Sequence, residues 1–338
     1  MKKTISAAVA LSIFAAPAIA ANLENPLYMP KQGSVYSKTS AGVMYKIADD
    51  SDAHQKKNHD GATEFPIWRV HEELGYGILD NLEAYAKLGY THDGDIDRKG
   101  IHLGRAGLKY RAINTDDGWV WDLYADAQLG GIVEMSGSYA ANGFTYDNYS
   151  TGRWGFHVGT QVGKTWSKFS TAAFVEVLRT FGNDNNSIEI SELKQIRGFP
   201  PFANIPDEIS VDLKSTTEVN AGLKAFYQLD DRWSFGGGFT FKHHADNGVE
   251  GLATSLNSNG NPTIATIQQA FVDGLMPIVE DMNDGFDEYI LNLTAAYQMT
   301  DTMQVAVYGE YTFDESHVNS QNGTDVKAEL GVRLNVQF

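Results

Sequence analysis

Few histidine, carboxylate and serine positions in this chain have a spacing suited to acid–base, metal or nucleophilic chemistry. His243 and His244 are adjacent near the end of an extended stretch. Neighbouring residues of a strand point to opposite faces, so the two are poorly placed to share one metal ion. Asp93, Asp95 and Asp97 repeat the opening ligands of a calcium-binding hand, but Arg98 stands where that loop needs glycine and Gly104 where it needs glutamate. His102 is expected on an outward face, without an outward serine on its neighbours, and there is no Gly-x-Ser-x-Gly elbow. Gly236-Gly237-Gly238 lies within an extended stretch, where it makes room for a bend or close backbone approach. No catalytic residues, cofactor or metal are expected, and the chain is not read as an enzyme.

The chemistry that remains is that of a charged wall. Arg69, Glu73, Glu83, Lys87, Arg105, Lys109, Arg111, Asp122, Asp126, Glu176, Glu218, Lys224, Lys242, Glu288, Glu310, Lys327, Glu329 and Arg333, with His71 among them, fall on the polar face of alternating stretches. Acids and bases balance, so a lumen with this lining would pass small polar solutes or ions with little preference for sign. The same charges can also block it: Arg105, Lys109 and Arg111 stand one strand away from Asp122 and Asp126.

Such a wall needs strands that alternate wet and oily. The last stretch does so throughout, with Val326, Ala328, Leu330, Val332, Leu334, Val336 and Phe338 alternating with Lys327, Glu329, Gly331, Arg333, Asn335 and Gln337. The same dyad recurs along the chain and predicts twelve strands, at 34–47, 64–78, 82–92, 100–112, 118–130, 152–163, 168–180, 215–229, 232–243, 286–299, 303–314 and 323–338. Five short connections alternate with six longer ones, at 48–63, 93–99, 131–151, 181–214, 244–285 and 315–322. This places both termini at the short-turn end. The fold class expected is all-β, a transmembrane antiparallel barrel of about twelve strands with long external loops. A soluble β-sandwich would bury one face and would not need apolar side chains facing outward on every strand.

Composition and the chain ends agree. Lys2 and Lys3, the apolar run Ile5 to Ile13 and Ala18-Ile19-Ala20 read as a signal peptide over residues 1–20. Its apolar run falls short of the roughly 18 to 20 residues of a spanning helix. Its removal takes two lysines and no acid from a chain with 26 basic and 43 acidic residues, which argues against nucleic acid as a partner. The chain has no cysteine, so the exported protein must close its fold by hydrogen bonds and packing. Residues 21–33, with Pro26 and Pro30, form a segment before the barrel proper at 34–338; the sequence leaves open whether it plugs the lumen.

With its Ala18-Ile19-Ala20 cleavage site, alternating turns and loops, and final strand ending in an aromatic residue, the chain resembles outer-membrane β-barrel proteins of the porin type. The resemblance implies location in the bacterial outer membrane, contact with its lipid, and recognition of Phe338 by the barrel-assembly machinery. Acidic loop segments such as Asp49-Asp50-Ser51-Asp52 and Glu280 to Asp287 would favour cation entry, and with divalent ions could bind lipopolysaccharide phosphates. Ile267, Phe271, Leu275, Ile278 and Met282 recur at helical spacing in the longest loop, predicting a short amphipathic helix that either constricts the mouth or rests on the rim. Function is then a porin-like channel for passive diffusion of small polar solutes or ions, or a filled structural or adhesive barrel acting through its loops. Oligomeric state is not legible.

Overall fold

The computed structural model describes residues 22–48, 67–93, 98–132, 134–141, 144–189, 208–245, 249–253, 266, 285–314 and 325–338. Twelve long strands follow one another around a ring: β1 (Val35–Ala48), β2 (Ile67–Leu79), β3 (Leu82–Asp93), β4 (Arg98–Asn114), β5 (Trp119–Gln128), β8 (Gly155–Trp166), β9 (Phe169–Thr180), β12 (Thr216–Gln228), β13 (Trp233–His244), β15 (Phe286–Gln298), β16 (Met303–Asp314) and β17 (Asp325–Gln337). Every consecutive pair is antiparallel, and β1 pairs with β17 from Tyr36 opposite Gln337 to Ala48 opposite Asp325. That last pairing closes the sheet, leaving no long unpaired edge in the ring to solvent or lipid. At the seam, the Phe338 N–H donates to the Val35 carbonyl at 2.8 Å and the Val35 N–H to the Phe338 carbonyl at 3.2 Å. Each observed strand lies within a few residues of its predicted range.

Five further strands arise where the sequence pattern gave only loops. β6 (Glu134–Ala141) and β7 (Phe144–Thr151) form a hairpin within 131–151, β10 (Asn183–Glu189) and β11 (Glu208–Leu213) lie within 181–214, and β14 (Val249–Ala253) lies within 244–285. β6 pairs with the start of β4, β7 with β10, and β11 with β14, so the sheet continues past the ring on one side at the long-loop end. The loop residues Ile267, Phe271, Leu275, Ile278 and Met282 lie outside the described residues, as do residues 1–21.

The burial pattern is inverted relative to a soluble protein. Leu293, Leu330, Leu223 and Val307 are well exposed, whereas Asp122 and Asn335 are fully buried and Glu83, Gln304, Ser170 and Ser234 nearly so. All six tryptophans are exposed: Trp119, Trp121, Trp166 and Trp233 near the short turns, Trp68 and Trp154 near the loops. Aromatic girdles thus flank a belt of Leu and Val, the arrangement of a barrel whose outside meets hydrocarbon. No helix among the described residues is long and apolar enough to cross a membrane.

Candidate functional site

The site is the bore, and its floor is the amino-terminal segment. Two overlapping turns shape residues 22–28: the Asn25 N–H donates to the Asn22 carbonyl at 3.1 Å and the Tyr28 N–H to the Asn25 carbonyl at 3.0 Å. The side chains of Asn22 and Asn25 accept from the N–H groups of Glu24 and Leu27, the local bonding that favours Asn in turns. This compact piece is fastened to the surrounding strands. Asn22 bonds Gln228 at 2.7 Å and Gln304 at 3.1 Å; Glu24 accepts from Arg333 at 2.9 Å and Asn335 at 2.7 Å. Gln161, Arg111 and Lys109 donate to the successive carbonyls of Pro26, Leu27 and Tyr28, at 3.0, 2.7 and 2.8 Å. Leu27 is buried with Val120 and Ala172. The question the sequence left open has a geometric answer: the segment sits in the short-turn end of the barrel. Gly77 is required there, because a side chain at that position would run into the Lys31 carbonyl.

Above this floor lies a cavity of about 490 Å3, lined by Leu23, Glu24, Asn25, Pro26 and Tyr28 below and by charged and tyrosyl side chains around. Three paired groups ring it. In the first, Glu73 accepts from the Tyr36 hydroxyl at 2.9 Å and meets Lys38 at 3.2 Å and Lys87 at 3.3 Å; the same hydroxyl bonds Glu83, which Lys109 approaches at 3.8 Å. In the second, Asp122 takes two bonds from Arg111, at 2.7 and 3.0 Å, and one from Gln161 at 2.8 Å. In the third, Asp126 accepts from Tyr85 at 2.7 Å and lies 2.7 Å from His157 Nδ1, with Arg105 at 3.9 Å, while Glu176 accepts from Tyr124 at 2.7 Å and sits 3.5 Å from His157 Nε2. Buried charge of this kind persists only when paired and hydrogen-bonded.

Glu329 accepts from Tyr308 at 2.8 Å and, across the β1–β17 seam, from Arg69 of β2 at 3.3 Å. Nearer the loop end, Lys242 lies 3.4 Å from Glu288, and His244 lies 3.3 Å from both Glu218 and Glu288. Lys224 and Glu310 also face the cavity. Lys327 stands on β17 opposite Thr312, but its side chain lies outside the described residues. His243 turns to the other face and meets Asp287 at 2.6 Å, so the two adjacent histidines do diverge.

His102 is a correction. It does not face outward: its Nε2 lies 3.0 Å from His71 Nε2, and both rings crowd the space beside Gly89. The reason is a bulge. Gly89 pairs with Leu103 but Tyr90 pairs with Ile101, so His102 is the extra residue and the count of two fails there. Lys38, Tyr36, His157 and Gln161 are lumenal residues that the selection of charged positions passed over. The alternation in β8, with Phe156, Val158 and Val162 outward, places His157 and Gln161 inward and carried the signal.

No protein-family model matches the chain, and no curated protein matches it. Among solved structures, an outer-membrane channel of Pseudomonas putida F1 is similar over 94% of this chain and 99% of that one, with a TM-score of 0.53 and 11% identity. A monoaromatic hydrocarbon channel, CymD, gives 0.48 at 9% identity over 91% and 89% of the two chains. The NanC porin gives 0.44 at 8% identity over 88% and 98%. The first of these likenesses supports the fold, an outer-membrane type of barrel, and at such identity it speaks to nothing finer.

Proposed function

We propose that the chain is an outer-membrane channel for small polar solutes or ions, whose passage is controlled by residues 22–34 at its short-turn, periplasmic end. The observation that carries this reading is the polar cavity enclosed by a barrel with an apolar skin: its wall is wet, charged with both signs and continuous with the bore. Balanced rings of charge admit polar solutes without excluding one sign, and acidic external loops bias entry toward cations. Phe338, paired at the seam, is the candidate signal for the barrel-assembly machinery, and lipopolysaccharide is the candidate neighbour of the loops.

Planar-bilayer recording of the purified chain tests the channel. Discrete current steps, with cation preference in a salt gradient, are expected. The seating of the amino-terminal segment favours a second reading, a closed barrel that acts through its loops, and absence of both current steps and solute-driven liposome swelling would decide for it.

A further inference from the structure

Nearly every charged group in the cavity is matched, which makes the exceptions informative. Lys224, Asn292 and Glu310 line the cavity, and among the described residues none of the three side chains has a hydrogen-bond or ion-pair partner; the Lys224 ammonium has the face of Phe174 at 4.3 Å. The pairing register puts these residues on one row of the wall. Lys224 is opposite Gly238, Gly238 opposite Asn292, and Asn292 opposite Glu310.

Between the cation and the amide the row therefore holds a residue without a side chain, and the Asn292 amide lies over that glycine, close to where a Cβ would stand. Gly236 and Gly237 widen the same opening along β13. At the acidic end Glu310 is next to Glu329, whose own carboxylate is already held by Tyr308 and Arg69. Lys224 and Glu310 begin three strand spacings apart, roughly 14 Å at about 4.8 Å each. The Lys224 ammonium rests over Phe174 on the β9 side; turned from there over glycine toward Glu310, a side chain of this length shortens that gap to the separation of charges in a short peptide.

We infer that this row is a binding site for a small zwitterion, with Lys224 taking the carboxylate, Glu310 the ammonium, and Asn292 offering a donor and an acceptor between them. Specificity arises because a neutral solute leaves both charges unmatched, while a simple anion or cation satisfies one end only. The inference rests on the channel reading for its biological use, though not for its test. Equilibrium dialysis of the full chain in detergent with labelled glycylglycine is expected to show saturable binding that arabinose does not displace. Lys224→Met and Glu310→Gln are each expected to weaken it about tenfold, the size of losing one charge-assisted hydrogen bond, with Lys224→Arg retaining it. Heat-modifiable electrophoretic mobility confirms that each variant is folded. No saturable binding to the wild-type chain, or equal binding by the folded variants, overturns the site. Liposome swelling separates the two claims: binding without swelling in either solute sinks the channel and keeps the site, whereas swelling without binding sinks the site and keeps the channel.

Discussion

Asp122 is fully buried, and two bonds from Arg111 with one from Gln161 satisfy its carboxyl group. Arg111 in turn donates to the Leu27 carbonyl, so one side chain joins β4, β5 and the amino-terminal floor. Removing one partner of such a pair is worse than removing both, because the survivor keeps its desolvation cost. Asp122→Ala is therefore expected to destabilise the folded barrel by about 3–5 kcal/mol. Asp122→Leu combined with Arg111→Met should recover much of that loss. Chemical unfolding in detergent micelles, followed by tryptophan fluorescence, measures both; a single variant as stable as the wild-type chain would show that the pair is not stabilising. At the skin the logic reverses. Leu293 is 72% exposed near the middle of β15, and Leu293→Arg places a charge in hydrocarbon. Refolding into bilayers should reveal a cost of about 2–4 kcal/mol, the size expected for a basic residue at the midplane.

The elements are held in register by their turns as well as by their faces. The β12–β13 turn depends on Asp230, whose Oδ1 accepts the N–H groups of Trp233 at 2.7 Å and Arg232 at 2.8 Å, and these bonds hold its carboxyl below the ordinary Asp range. A carboxyl depressed on folding adds stability above its unfolded pKa, and that stability is lost as pH falls through the folded value. The difference in unfolding midpoint between the wild-type chain and Asp230→Ala should accordingly be present at neutral pH and shrink on acidification, and a difference independent of pH would contradict the assignment. The twelve ring strands were legible because each has to present oil to one side and water to the other, a demand that period-two alternation records directly. Lumenal positions such as Asp122 and Arg333 followed from that. Three things did not follow. A bulge breaks the count, which is why His102 was expected outside; beyond the ring β10, with its Asn183-Asp184-Asn185-Asn186 run, carries no apolar alternation to read; and the floor is stitched by Asn22, Asn25 and backbone carbonyls, groups with no periodicity to read.

At the scale of the whole molecule, the barrel is a tube whose width is set by its strands and whose free space is set by what stands inside. Residues 22–34 reach from Gln228 and Gln304 on one side to Arg111 and Lys109 on another, so they span the bore instead of lining one wall. Their grip is polar and distributed. The bonds from Arg333 and Asn335 to Glu24 can exchange with water one at a time, whereas the Leu27 contact with Val120 and Ala172 is lost as a unit. A channel floored in this way should conduct weakly until the segment lifts. Deleting residues 22–32 while keeping the strand from Val35 is expected to raise single-channel conductance, and Glu24→Gln, which loosens the Arg333 tether without removing the segment, should produce more frequent openings of unchanged size. Unaltered conductance in the deletion would mean that the segment does not limit passage through the bore. Openings of larger size in Glu24→Gln would instead place the narrowest point at that side chain rather than at the backbone of the segment.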